Sequence, residues 1–422
     1  MTAPRATLLE RMPPAFRLRD FRLLWIALFA MGLGVQIEAV AVGWQVYAIN
    51  GSAFDLGLIG LAEFVPLLLL ALPAGQLSDR FSRKRVVAVS LVFDAAAAVG
   101  LFAVTAAGAS ALWAFLALAA LTGVASALGA PAGRSLPPTI VPAEHLAGAM
   151  ALRGIAFQAA TVAGPAVGGV VFAIRAEAAY ALALGLFAVS FAAVLALSVP
   201  PLVRNRLDAA PGLNSVLAGI RFLRRAPVVL GSILLDLFAV LFGGAVALLP
   251  LFARSILHTG PVGLGILRSA PAFGALFAGL LLARRPLPGK AGPTLLGAVA
   301  VFGGSMVVFG LSRSIPLSLL ALSVGGFADM FSVNIRSTTV ALATPDELRG
   351  RVTAVEMVFI GASNELGAFE SGAAAALLGP VTAVVAGGVV TVLLAATWTR
   401  LFPSLARLDR MEDLHPEPIS AG

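Results

Sequence analysis

The chain has 422 residues, of which 59% are hydrophobic and only 12% charged, with a net charge of +8. A soluble protein needs far more charge to cover its surface, so most of this surface must face lipid. Cysteine is absent, which excludes disulfides, thiolate metal sites and cysteine nucleophiles.

The three histidines, His145, His258 and His415, are widely separated. No HExxH, Walker A loop, GxGxxG or GxSxG occurs, so neither an enzyme site nor a metal or cofactor site has a foothold. Residues 1–21 carry arginines ahead of the first apolar run and lack the pattern of a signal peptide, so they read as a cytoplasmic tail.

A spanning helix needs about 20 apolar residues. Twelve such stretches are expected, at roughly 22–48, 55–78, 85–107, 111–132, 149–174, 178–199, 228–253, 261–283, 292–313, 316–337, 350–376 and 379–402. They are too continuous for the alternating strands of a membrane β-barrel. Their Gly and Ala content allows helices to approach closely. The fold class is therefore all-α and polytopic. The bundles are expected at 22–199 and 228–402, with a linker at 200–227 and a second tail at 403–422. The linker ends in an amphipathic stretch at Arg221-Phe222-Leu223-Arg224-Arg225, which reads as an interfacial helix.

Basic residues sort by side. With the twelve spans threaded back and forth, 25 of the 29 Lys and Arg fall on one face, and only Arg175, Arg254, Arg268 and Arg313 on the other. The bias puts both termini in the cytoplasm and assigns the positive charge to a membrane face, not to nucleic acid.

The two bundles repeat each other. Gly75 to Arg80 parallels Gly279 to Arg284 at equivalent helix ends. Arg134, Pro142 and Leu146-Ala147-Gly148 parallel Arg336, Pro345 and Leu348-Arg349-Gly350. Together, at equivalent helix ends, these matches point to two six-helix halves.

Eight acids fall within the apolar stretches: Glu38, Glu63, Asp94, Asp236, Asp329, Glu356, Glu365 and Glu370. An ionised acid at mid-membrane costs about 2.5–3.5 kcal/mol, so each must face a wet cavity, pair with a base or hold a proton. Under the repeat, Glu38, Asp236, Asp329, Glu356, Glu365 and Glu370 have no acidic counterpart, which makes them candidates for substrate or proton handling. Glu38 and Gln45 share a helix face. Asp329, Ser332 and Arg336 share another, which could draw Asp329 to Arg336 as a structural pair. Glu365 points nearly opposite Glu356, so one acid of that helix belongs to packing. Glu63 and Glu356 read as interface residues. Arg268 either neutralises Asp236 or Glu370, draws in an anion, or snorkels to the surface. Trp44 either contacts an aromatic substrate or belongs to an interfacial belt.

Gly75-x-x-x-Asp79-Arg80-x-x-Arg83-Lys84-Arg85 resembles the loop signature of the major facilitator superfamily, with Ser82 where the family usually has Gly. Gly164-Pro165-Ala166-Val167-Gly168-Gly169 resembles the end of the motif associated with antiporters, with Ala160 where that motif begins with Gly. The likeness runs from Phe21 to Phe402. Its finer detail, in Trp44-Gln45-Val46-Tyr47 and Ser363-Asn364-Glu365-Leu366-Gly367, is to the bacterial exporter branch that includes the enterobactin exporter, and to drug–proton antiporters.

The resemblance implies two six-helix bundles in the bacterial inner membrane, acting as a monomer. It implies alternating access and export of a small amphipathic compound, such as a siderophore, drug or metabolite, in exchange for protons. It implies that helices 1, 4, 7 and 10 line the cavity, which favours Glu38, Asp236 and Asp329. It also implies a cytoplasmic latch in which Asp79, beside Arg80 and Arg83, meets a helix N-terminus or a base such as Arg134, Arg349 or Arg351. Three rivals stand: an uncoupled facilitator or importer, a lysophospholipid flippase, and a non-transporting receptor or assembly factor. The last would normally add a soluble domain, and no segment outside the stretches is long enough for one.

Overall fold

The computed structural model describes residues 13–199, 213–284 and 289–414. Twelve long helices dominate it: α1 (Arg19–Asn50), α2 (Ala53–Arg80), α3 (Arg83–Ala106), α4 (Leu112–Ser135), α5 (Ala143–Ile174) and α6 (Ala176–Leu195), then α7 (Pro227–Gly243), α8 (Pro261–Arg284), α9 (Ala291–Leu311), α10 (Ile315–Ala343), α11 (Asp346–Leu378) and α12 (Pro380–Leu401). Eleven, counting α7 with its continuation to Ile256, are long and apolar enough to cross a membrane. The twelfth, α11, has 33 residues but carries Glu356, Glu365 and Glu370 along its length.

Punctuation is local. Gly51 ends α1 in the left-handed region at φ 64°, and its N–H bonds to Tyr47 O. Ser52 then caps α2 by accepting from Asp55 N at 3.2 Å. Gly379, at φ 84°, separates α11 from α12. One expected helix is broken. The stretch 228–253 reads as continuous, but α7 stops at Gly243 and resumes after Gly244 as a 3-10 turn at Val246–Leu248. It ends in a π turn at Phe252–Ile256. The Gly243-Gly244 pair and then Pro250 withdraw the support a regular helix needs.

The packing repeats with a shift of six helices. In the first half α1 packs on α5 and α6, α2 on α4, and α3 on α4 and α6. In the second half α7 packs on α11 and α12, α8 on α10, and α9 on α10 and α12. The same shift exchanges the two main contacts between halves, α2 with α11 and α5 with α8. A pseudo-twofold axis therefore relates two six-helix bundles, as the sequence repeat requires.

The linker helix, Leu213–Arg225, buries Phe222 and Leu223 against Val352 and Val355 of α11 and leaves Arg221 and Arg224 exposed. Its amphipathic face thus seats on the second half. Linker residues 200–212 lie outside the described residues.

Backbone-to-backbone approaches between the halves fall away from the arginine-rich end. A methyl group on Gly372 would lie 2.6 Å from Gly57 Cα. Gly169 and Gly265 bring α5 and α8 together in the same way. Only residues without Cβ permit such contact. Gly372→Leu is therefore expected to push α2 and α11 apart at this end. Because the chain has no cysteine, a spin-label pair introduced there gives an unambiguous distance, which should lengthen; an unchanged distance would mean that the glycines are not what allows closure.

Candidate functional site

The far-end seal is polar as well as tight. Tyr47 OH on α1 and Ser255 Oγ after α7 lie 2.8 Å apart across the halves. Deeper in, one turn past Arg268 toward the arginine-rich end, Gln158 of α5 donates to Ala272 O of α8 at 2.6 Å. The glycines of the antiporter-like motif supply the closeness at the seal. Gly164 lies against Gln36 and Gly168 against Ile37, both on α1, while Pro165 and Gly169 face α8 at Gly265.

Inward of that seal the halves meet at a charged cluster. Glu63 of α2, Arg268 of α8 and Glu365 of α11 act on one another electrostatically, and Glu38 of α1 acts on Glu63. Glu63, Arg268 and Glu365 are half-buried, whereas Glu38 is 4% exposed. The backbone places them: a methyl group on Gly60 would lie 3.0 Å from Glu365 O, so the α2 segment bearing Glu63 runs against the α11 segment bearing Glu365. Pro66 and Pro271 follow Glu63 and Arg268 by one turn and interrupt both helical ladders there. Two acids, Glu63 and Glu365, thus face one base between the halves, with Glu38 acting on Glu63 from α1. Full ionisation of this group would leave one charge uncompensated in a low-dielectric slab.

A second charged group lies wholly within the second half. Arg336 of α10 forms ion pairs with Asp236 of α7 and, at 3.5 Å, with Glu356 of α11. All three side chains are at most 10% exposed. Arg134 of the first half acts on Glu356 and contacts Met357 Sδ. This corrects the expected pairing of Asp329 with Arg336. Seven residues along α10 put Asp329 two turns away, whereas α7 and α11 bring carboxylates in from the side. Asp329 instead lines a small cavity with Asp236 and Ser332. Arg268, likewise, faces Glu63 and Glu365 rather than Asp236 or Glu370.

Gln45 does not open onto the space between the halves. Tyr180 OH of α6 donates to its Oε1 at 2.7 Å, and its Nε2 donates to Thr105 of α3 at 3.0 Å. It holds α1, α3 and α6 together inside the first bundle. Trp44 is half-buried and packs on a hydrophobic core shared by the two halves. Asp94 of α3, 5% exposed, is a charge acting on Glu38 from within the same bundle. Glu370 is half-buried and forms no ion pair among the described residues.

At the arginine-rich end, Gly75 and Asp79 lie on the last turns of α2, but the Asp79 side chain is outside the described residues, and with it the latch contact. Arg83 donates to Ser135 O at 3.2 Å. Arg80 is exposed. Arg349 is engaged by Asp346 at 2.7 Å. Arg351 O lies against Gly219 of the linker helix.

A family profile described as transmembrane secretion effector matches residues 12–419. The enterobactin exporter EntS of Citrobacter koseri is 26% identical over 410 residues, covering 95% of both chains. That of Shigella dysenteriae serotype 1 is 27% identical over 376 residues, covering 87% of this chain and 88% of its own. Among solved structures, a bacterial homolog of the human lysosomal transporter Spinster, inward-facing and unoccupied, matches with a TM-score of 0.70 at 16% identity, covering 92% of this chain and 98% of its own. The D-xylose–proton symporter matches with a TM-score of 0.67 at 13% identity, covering 92% and 97%. These structural likenesses establish the twelve-helix major facilitator fold.

Proposed function

The chain belongs to the transmembrane secretion effector family of major facilitator transporters, and from that premise we propose that it is a proton-coupled exporter of a small amphipathic compound, with siderophores as the first class. It is a multi-pass secondary transporter and not an enzyme. The observation that carries the proposal is the cluster of Glu63, Arg268 and Glu365 between the halves. Both halves contribute to it, so rocking one half against the other must change its solvation. A group of two acids and one base that is alternately dry and wet binds a proton in one arrangement and releases it in the other. The relatives named for enterobactin export support the siderophore class.

In this reading the arginine-rich end faces the cytoplasm of a bacterial inner membrane. The tight far end then makes the present arrangement inward-facing, with the outer gate formed by Gly57 and Gly372, by Gly169 and Gly265, and by Tyr47 and Ser255. Substrate enters from the cytoplasm against Glu63, Arg268 and Glu365. Asp79, Arg80 and Arg83 lie at the cytoplasmic gate. Arg134 reaches the second half there, beside Met357.

The test is reconstitution into liposomes under an imposed pH gradient, with a pH dye inside. Enterobactin, a cationic dye and a lysophospholipid are added in turn. Enterobactin is expected to trigger proton movement opposite to its own. Movement of the lysophospholipid alone would instead identify a flippase, and substrate movement without a proton signal would identify a facilitator.

A further inference from the structure

Asp329 has no hydrogen bond or ion pair among the described residues, although it lies on a spanning helix. It borders a cavity of about 10 Å³ between α7, α9 and α10, lined also by Asp236, Ser332, Ala239, Val299 and Phe302. That is room for about one water molecule, and a buried water needs two to four polar partners. The two carboxyls and the Ser332 hydroxyl supply three. Ser332 is 4% exposed and donates no hydrogen bond among the described residues, so its hydroxyl is left for whatever the cavity holds.

The charges around this cavity do not balance. Asp236 shares Arg336 with Glu356. α9, the third wall, contributes no charged residue. α11 contributes Glu356, on which Arg134 of α4 also acts. Within the second half, Arg336 is thus the base set against three acids: Asp236, Glu356 and Asp329. We propose that Asp329 and Asp236 hold one proton between them across this cavity, through a single bridging water anchored by Ser332, at a site separate from the cluster between the halves. The proton resides on Asp329, the carboxyl without a base, while Asp236 remains the partner of Arg336. The water accepts from the protonated Asp329 and donates to Asp236 and to Ser332 Oγ, which gives it three polar partners.

The site deepens the proton-coupled reading. It rests on that reading for its part in a transport cycle, but not for the presence of the proton. The proton is read directly by infrared difference spectroscopy of the full-length protein in detergent. At neutral pH, Asp329→Asn should remove a carbonyl band of a protonated acid. Glu365→Gln should leave that band in place. Ser332→Ala, which keeps both acids, should shift the pH at which the band disappears by about one unit, the effect of one hydrogen bond. Ser332→Ala also serves if Asp329→Asn does not fold. An acid band unchanged in Asp329→Asn and in Ser332→Ala would overturn the site. Proton flux that still depends on Glu365 would then leave the transport reading standing.

Discussion

Arg268→Gln is expected to abolish both substrate-driven proton flux and substrate exchange, by about 100-fold or more. Arg268 faces Glu63 and Glu365 at the join of the two halves. Without it, those acids have no base and are neutral only if both are protonated. Ionising either one in the closed arrangement costs about 2.5–3.5 kcal/mol. That is about 100-fold in the population of any intermediate that must pass through an ionised cluster. The loss should appear with protein amount and thermal stability near wild type, because Arg268 is half-buried and bridges helices that already meet through glycines. Arg268→Lys should recover part of the activity, since it keeps the charge and loses the planar fork. Wild-type flux in Arg268→Gln would remove the cluster from the mechanism.

Arg336→Met is expected to act on stability first. It strips the base from two carboxylates that are almost fully buried, Asp236 and Glu356. Removing one member of a buried ion group costs about 3–5 kcal/mol, which corresponds to a fall in Tm on the order of 10 °C. The triple variant Asp236→Leu, Arg336→Met, Glu356→Leu removes the charges together and should recover most of that loss, because a well-packed apolar replacement is often neutral. Thermal unfolding in detergent checks both. A single variant as stable as wild type would mean that the ion group is not closed in the folded protein. A triple variant less stable than the single one would mean that it holds more than packing.

Composition and repeat made the fold legible. Apolar stretches of spanning length gave the helices, and the Arg134 and Arg336 repeat gave two halves. The break in α7 was hidden because Gly243-Gly244 looks like any close-packing pair in a Gly-rich helix. The site was only partly legible. Arg268 and Glu365 stood out as charges in apolar helices. Glu63 reads from the sequence only as an interface residue, because the resemblance favours helices 1, 4, 7 and 10, while the charged join is made by α2, α8 and α11. The signal was available: α2 carries the loop signature at one end and a glycine seam at the other, which places it between the halves. Periodicity on one helix also misassigned Arg336. A helix face shows which residues point one way, but not which neighbouring helix supplies the partner. Gln45 shows the same limit, since Thr105 and Tyr180 claim it from α3 and α6.

The most direct test of the account is proton flux in proteoliposomes on addition of enterobactin, wild type against Glu365→Gln. Glu365→Gln leaves Glu63 with Arg268 as a neutral pair, so the cluster no longer needs to exchange that proton. The account predicts that proton flux falls about 100-fold while counterflow of enterobactin at equal concentrations stays within a few-fold of wild type. Proton flux at the wild-type level in Glu365→Gln, with the variant folded and active in counterflow, would contradict it.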